Sequence, residues 1–238
     1  MLANTSKLVQ MKYLQVGKGR LGNLIAQSVK ASTNLTINYA RIDPEFGLIN
    51  SNRKPIGGDV DQLVLCLSPS QSSVWQWDQI LNGMIKQVVR NELKINQLIF
   101  ISSTRVYDGI TGGIITAETP VNAASKRAMK LLKAEHHIEQ LTSNYHILRC
   151  SGLYAKTGQD YRKYPKILVQ KDDKIRFGVD IEYVTQVVVE KLKENTQVST
   201  HSLLTDGYCY FNGEKIAAQK VSHLSGQHRL LINSQVKL

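Results

Sequence analysis

Residues 11–23, MKYLQVGKGRLGN, constrain this chain more than any other stretch. An apolar run, KYLQV, leads directly into Gly17, Gly19 and Gly22 in the order G-x-G-x-x-G. RLGNLIAQSVKAS follows, with Leu21, Leu24, Ile25 and Val29 at helical spacing. A strand that enters three spaced glycines and leaves as a helix reads as the start of a βαβ unit. Each glycine has a task in such a turn: Gly17 permits the tight bend, Gly19 lets the backbone approach a pyrophosphate, and Gly22 lets helix and strand pack closely. The amino end of the helix offers N–H groups to the anion. The stretch therefore predicts a dinucleotide cradled by Gly17, Lys18, Gly19, Arg20, Leu21 and Gly22, with Lys18 and Arg20 adding attraction for phosphate. The competing reading is a structural turn that holds nothing.

The rest of the chain continues the rhythm. NLTINYAR alternates as a second strand should, and DVDQLVLCLSP is apolar along its length, as a parallel strand covered on both faces should be. A helix is expected over about residues 78–92, with Asp78 as its cap, and INQLIFISST is the fourth strand. SKRAMKLLKAEHHIEQL reads as the next helix and NYHILRCSGLY as a fifth strand. The expected fold is α/β, a Rossmann-type doubly wound parallel sheet. After residue 155 the pattern thins: DIEYVTQVVVEKLKE reads as a helix, QVSTHSLLTD as a strand and NGEKIAAQKVSHL as a final helix. Residues 1–155 are thus expected to form the nucleotide-binding domain. Residues 156–238 form a small substrate-side lobe packed on it.

Composition limits the function classes. The 238 residues are 42% apolar and 21% charged, with no apolar window long enough to span a membrane. Cys66, Cys150 and Cys209 stand far apart and lack the close spacing of a zinc ribbon or redox dithiol, so they read as reduced packing residues. The amino-terminal residues lack a continuous hydrophobic segment and a cleavage signature, and a cytoplasmic location is expected. Thirty Lys and Arg against nineteen Asp and Glu leave a net charge of +11. That excess attracts phosphorylated ligands, anionic membranes and nucleic acid alike. The most basic window, YRKYPKILVQKDDKIR, reads as a solvated loop beside a cleft rather than a nucleic-acid surface, because no zinc finger, KH loop or aromatic ribonucleoprotein signature accompanies it.

Cofactor selectivity is written after the second strand. An acid there would bind the ribose hydroxyls of NAD, but INYAR offers Arg41, which suits a 2′-phosphate. NADP is favoured over NAD, with Asp43 close enough to keep NAD in play.

FISSTRVYDG, followed by AETP and later by ILRCSGLYA, resembles the extended short-chain dehydrogenase/reductases, in particular their atypical, nucleoside-diphosphate-sugar epimerase-like members. The resemblance covers residues 11 to about 155 well and the remainder faintly. It implies that Ser103, three residues before Val106, polarises the substrate oxygen, with Thr104 as an alternative donor, and that Tyr107 is the family tyrosine of that loop. Asp108 replaces the glycine that follows it in the family. The family's Y-x-x-x-K pair donates the proton from the phenol, while the lysine lowers its pKa and holds the nicotinamide ribose. Here the lysine position falls on Lys126 and the tyrosine position on Asn122, an amide that does not titrate near neutral pH. Tyr107, Tyr154 and His146 are the candidate replacement donors. Arg149, Gly152 and Tyr154 match the family's fifth-strand segment, and FGVDIEY keeps Val179 and Asp180 but has Gly178 where the family has histidine.

Two functions follow. One is an NAD(P)-dependent epimerase- or reductase-type protein that moves a hydride on a small hydroxyl- or carbonyl-bearing substrate through Ser103 and Lys126, alone or as a homo-oligomer. The other is a catalytically silent module that binds the dinucleotide and signals or supports a partner.

Overall fold

The apolar runs predicted as strands lie side by side in one sheet. In the computed structural model, which describes residues 12–33, 36–67, 77–110, 113–155, 176–194, 197–206, 208–211, 214–217 and 229–231, β1 (Tyr13–Val16) passes through the glycines into α1 (Arg20–Ser32) and β2 (Ile37–Asp43). β3 (Gly47–Ile49) turns back antiparallel on β2, pairing Arg41 with Ile49. β4 (Gly58–Leu65), α2 (Trp77–Val89), β5 (Leu93–Ser103), a 3-10 turn (Thr104–Tyr107), β6 (Gly113–Ile115), α3 (Lys126–Leu141) and β7 (Tyr145–Cys150) follow. Beyond them come β8 (Gly152–Tyr154), β9 (Arg176–Asp180), α4 (Ile181–Lys193), β10 (Thr200–Leu204), β11 (Tyr208–Phe211), β12 (Glu214–Ala217) and β13 (Arg229–Leu231). The main sheet has the order β10-β7-β5-β4-β1-β2-β3, parallel except at the β3 edge.

Side-chain alternation along these strands divides the interior into two cores. Leu14, Val16, Leu63, Leu65, Leu98 and Phe100 meet Leu81 and Met84 of α2 and Leu131, Ala134 and Ile138 of α3. On the opposite face Tyr13, Val64, Ile99 and Leu148 meet Leu21, Ile25 and Val29 of α1 and Val184, Val188 and Leu192 of α4. Each such aliphatic side chain contributes roughly 1.5–3 kcal/mol on burial, so both layers are held mainly by this packing. α4 is capped by Asp180, whose Oδ1 accepts the Glu182 N–H at 3.1 Å, and ends with Lys191 and Lys193 at its negative pole.

The sheet sets where a ligand can sit. α1 carries the chain from β1 to one side, and β4 flanks β1 on the other, so Gly17 lies at a switch point at the carboxyl ends of the strands.

Residues beyond 155 supply α4 and β10 to this main layer, and β9, β11 and β12 to a second sheet of order β12-β11-β9-β8. Two sequence expectations change here. The final helix expected over NGEKIAAQKVSHL is overturned at its start, because Glu214–Ala217 is a strand paired antiparallel with Tyr208–Phe211, and the rest of that stretch lies outside the described residues. Asn212 and Gly213 separate the two in sequence, and Asn-Gly is the strongest short hairpin signal. Asp78 does not cap α2, which already starts at Trp77. β3 went unread because three residues are too few to show a period. Of the basic window, only Arg176 falls among the described residues.

Candidate functional site

The three glycines differ in what the protein itself asks of them. Gly17 has φ +106°, a conformation that L side chains rarely adopt, and a Cβ there would overlap the Cys66 carbonyl oxygen at the end of β4. A Cβ on Gly22 would collide with the Gly17 carbonyl oxygen. Gly19, the residue before α1, has φ −68° and ψ −178°, which any residue adopts, and a Cβ there would meet nothing within 4 Å. The fold therefore requires glycine at positions 17 and 22 and does not require it at 19. α1 begins with no side-chain cap hydrogen bond and no acid in its first turn, so its amino pole faces outward undiluted.

Gln15, which the sequence reading passed over, braces this loop. It is fully buried on the central strand, donates from Nε2 to the Gly17 and Gly22 carbonyls at 3.0 and 2.7 Å, and accepts the Tyr13 hydroxyl at 2.9 Å. A polar residue inside the apolar run before the glycines was the available signal.

A cavity of about 520 Å³ opens beside the loop, lined by Gly17 and Lys18 on one side and Tyr39, Arg41 and Ser51 on the other. Lys18 Nζ sits 4.0 Å from the Tyr39 ring centroid, a cation–π contact that holds the lysine along the cavity wall. Asp43, the alternative ribose ligand, is committed elsewhere: its Oδ1 accepts the Glu45 and Phe46 N–H groups at 2.9 and 3.0 Å and so forms the β2–β3 turn.

The second region lies at the carboxyl end of β5. Ser103 is half-buried and leads into the 3-10 turn, where its Oγ accepts the Arg105 N–H at 3.3 Å. Asn122 stands before α3 rather than on it. Its backbone carbonyl accepts the Gly109 N–H at 2.8 Å, its own N–H bonds Val106, and its side chain fills the space that a Cβ on Gly109 would need. Asp108 pins the same segment by accepting the Ala124 and Ser125 N–H groups at 2.7 and 3.2 Å. Ser125 caps the helix through the Ala128 N–H at 3.1 Å, and Lys126 is its exposed first residue. Positions 122 and 126 are four apart in sequence but share no helical turn, so they do not form one paired face.

The other candidate proton donors are tied into structure. Tyr107 is fully buried, and its hydroxyl accepts from Arg149 Nη1 at 2.8 Å. Burial raises its pKa, against the lowering effect of the guanidinium. Arg149 also forms a forked ion pair with Glu135, its shortest contact 2.8 Å, and Ser102 donates to the same carboxylate at 2.5 Å. Tyr154 donates to Asp206 at 2.7 Å. His146 lies near the amino end of β7, away from the glycines, with Nδ1 2.8 Å from the Thr200 hydroxyl.

No protein-family model matches this sequence, and no curated protein sequence matches it. Solved structures do match. A Methylobacillus flagellatus protein described as an NAD-dependent epimerase/dehydratase superposes with a TM-score of 0.66 at 15% identity, over 96% of this chain and 93% of its own. This chain has the fold of a short-chain dehydrogenase/reductase. An Agrobacterium tumefaciens member of that superfamily, solved with bound NAD, matches with a TM-score of 0.61 at 13% identity over 93% of this chain and 85% of its own. The dTDP-4-dehydrorhamnose reductase of Bacillus anthracis, solved with NADP, gives 0.56 at 13% identity over 94% and 85%. The likeness to dehydrogenase/reductase folds therefore extends past residue 155 into the segment where the sequence resemblance was faint.

Among the described residues, no helix is long and apolar enough to cross a membrane, and no group of three or more His, Cys, Asp or Glu side chains is placed to hold a metal ion. Cys66 is half-buried and Cys150 buried, and burial raises both thiols, Cys66 to about 12.

Proposed function

We propose that this protein binds NADP(H), and more weakly NAD(H), and acts as a reductase- or epimerase-type oxidoreductase on a small hydroxyl- or carbonyl-bearing substrate. The observation that carries the proposal is Gly19. Among the described residues nothing needs a glycine there, yet the position lies at the amino end of α1 on the carboxyl edge of the sheet, where a side chain would obstruct a pyrophosphate. Gly17, Lys18, Arg20, Leu21 and Gly22 complete that cradle. The cavity between Lys18 and Arg41 accommodates the adenosine ribose, and with Asp43 held in its turn, Arg41 favours a 2′-phosphate.

When bound, the dinucleotide supplies a hydride donor or acceptor at the nicotinamide C4. Ser103 holds the substrate oxygen, since a hydroxyl that accepts the Arg105 N–H keeps its own proton to donate. Lys126 directs its ammonium to the ribose from the start of α3. The second sheet, with β9, β11 and β12 from residues beyond 155, forms the substrate-side lobe. Solvent exchanges the proton, because Tyr107, Tyr154 and His146 are each engaged in the fold.

That last point also favours the second reading, a silent dinucleotide-binding module. Asn122 stands in the tyrosine position and serves to pin the loop before α3. Calorimetric titration tests the dinucleotide binding that both readings share, and turnover separates them. NADPH and NADH both bind, NADPH tighter, and failure of both at millimolar concentration sinks the nucleotide proposal. On a substrate found in a panel of aldehydes, ketones and sugars, Ser103→Ala lowers turnover roughly 100-fold, with cooperative unfolding retained and only the cap to the Arg105 N–H lost. Cofactor binding without turnover of any panel member supports the silent module.

A further inference from the structure

We propose that Gln15 is a positioning residue for the pyrophosphate: its side-chain amide staples the first glycine of the loop to the third and so fixes the direction in which the loop and the amino end of α1 present their N–H groups. This role rests on the dinucleotide reading above and deepens it.

A glutamine in the middle of a central strand is costly to bury unless its polar atoms are satisfied, and the alternation of β1 otherwise places apolar side chains there. In register Gln15 lies between Tyr39 of β2 and Val64 of β4, with no exposed surface. Its three contacts determine its orientation. Gly17 O and Gly22 O can only accept, so Nε2 must face them, and the Tyr13 hydroxyl then donates to Oε1. Both amide hydrogens are used on the loop, and the amide plane is locked from behind by the phenol.

The geometry ties Gln15 to the glycine pattern itself. A Cβ on Gly22 would stand 3.1 Å from Gln15 Nε2 as well as colliding with the Gly17 carbonyl oxygen, so the third glycine leaves room for the staple. Gly22 already lies in the first turn of α1, so anchoring Gln15 there turns the Gly17 carbonyl inward, keeps that acceptor from the anion and leaves the loop's outward side to donors. Without the staple, the Gly17 carbonyl loses its donor, and the loop can rotate it toward the phosphates. Gln15 has no exposed surface, so its effect runs through the loop.

The test uses the full chain and two probes, NADPH and adenosine 2′-monophosphate, the latter carrying the base, ribose and 2′-phosphate without a pyrophosphate. Gln15→Met keeps side-chain length and removes both donors. It is expected to weaken NADPH binding roughly tenfold and to change adenosine 2′-monophosphate binding less than twofold, with cooperative thermal unfolding retained. Unchanged NADPH affinity, or equal weakening of both ligands, overturns the role of Gln15. If Gln15→Met does not fold, Tyr13→Phe frees the amide from behind and must show the same selective loss, or the role is overturned. Wild-type protein that binds neither NADPH nor NADH overturns the nucleotide reading and this role together, whereas tight wild-type binding that Gln15→Met leaves intact overturns the role alone.

Discussion

Glu135 and Arg149 lie 14 residues apart on α3 and β7, and their side chains meet in the interior with Tyr107 and Ser102 as further partners. Their side chains are 1% and 7% exposed, which is the regime in which removing one charge is worse than removing both. Glu135→Leu alone leaves the guanidinium buried with only the Tyr107 hydroxyl, and is expected to destabilise the fold by about 3–5 kcal/mol. Glu135→Leu combined with Arg149→Met removes both charges. Chemical denaturation should find the double variant more stable than Glu135→Leu alone, and a double variant that is less stable contradicts the account of this cluster. The ion pair also explains why Tyr107, one of the candidate replacement donors, is held inside the fold by Arg149. Their motif positions were legible, but their partner Glu135 was not, because a long-range ion pair leaves no spacing to read.

Among the elements, those with a sustained period were legible and the short ones were not. β1, β4, β5 and β7 carry mostly apolar runs because both faces are covered, and α1, α3 and α4 carry clear apolar stripes. β3 has three residues, and the β11–β12 hairpin announces itself only by Asn212-Gly213. At the far end of β7 the packing has a pH consequence. His146 is buried against Thr200, and burial, with Lys191 reinforcing it and Glu194 opposing, lowers its pKa below 6.5. His201 on β10 faces Glu139 at 3.2 Å, yet burial and the Arg149 guanidinium lower its pKa as well. Both histidines therefore bind a proton more readily unfolded than folded. Their contribution is intact above about pH 6.5 and is lost as pH falls below it, since the unfolded state gains protons first. Urea melts at pH 7.5 and pH 5.5 should show lower stability at 5.5, with a smaller difference in His146→Leu. An unchanged difference would place the pH dependence elsewhere.

For the whole molecule, two apolar cores on opposite faces of one sheet hold the carboxyl ends of β1, β2, β4 and β5 along one edge, and the proposed cofactor and substrate residues lie along that edge. Gly17, Lys18 and Arg41 gather at its nucleotide end, and Ser103 ends β5 beyond β4. The strand, turn and helix around Gly17 were legible, because glycine spacing after a strand reports backbone geometry directly. The segment before α3 was not. Asn122 and Lys126 have the right separation, but Asp108, Asn122 and Ser125 delay the start of α3, so the pair never shares a helical turn. Dinucleotide binding is the central claim, and the glycine that the fold does not need tests it most directly. Calorimetric titration of NADPH into Gly19→Ala should show affinity reduced at least tenfold against wild type, with folding stability within about 1 kcal/mol because the added methyl meets open space. NADPH binding equal in Gly19→Ala and wild type would contradict the claim that position 19 is kept clear for a pyrophosphate.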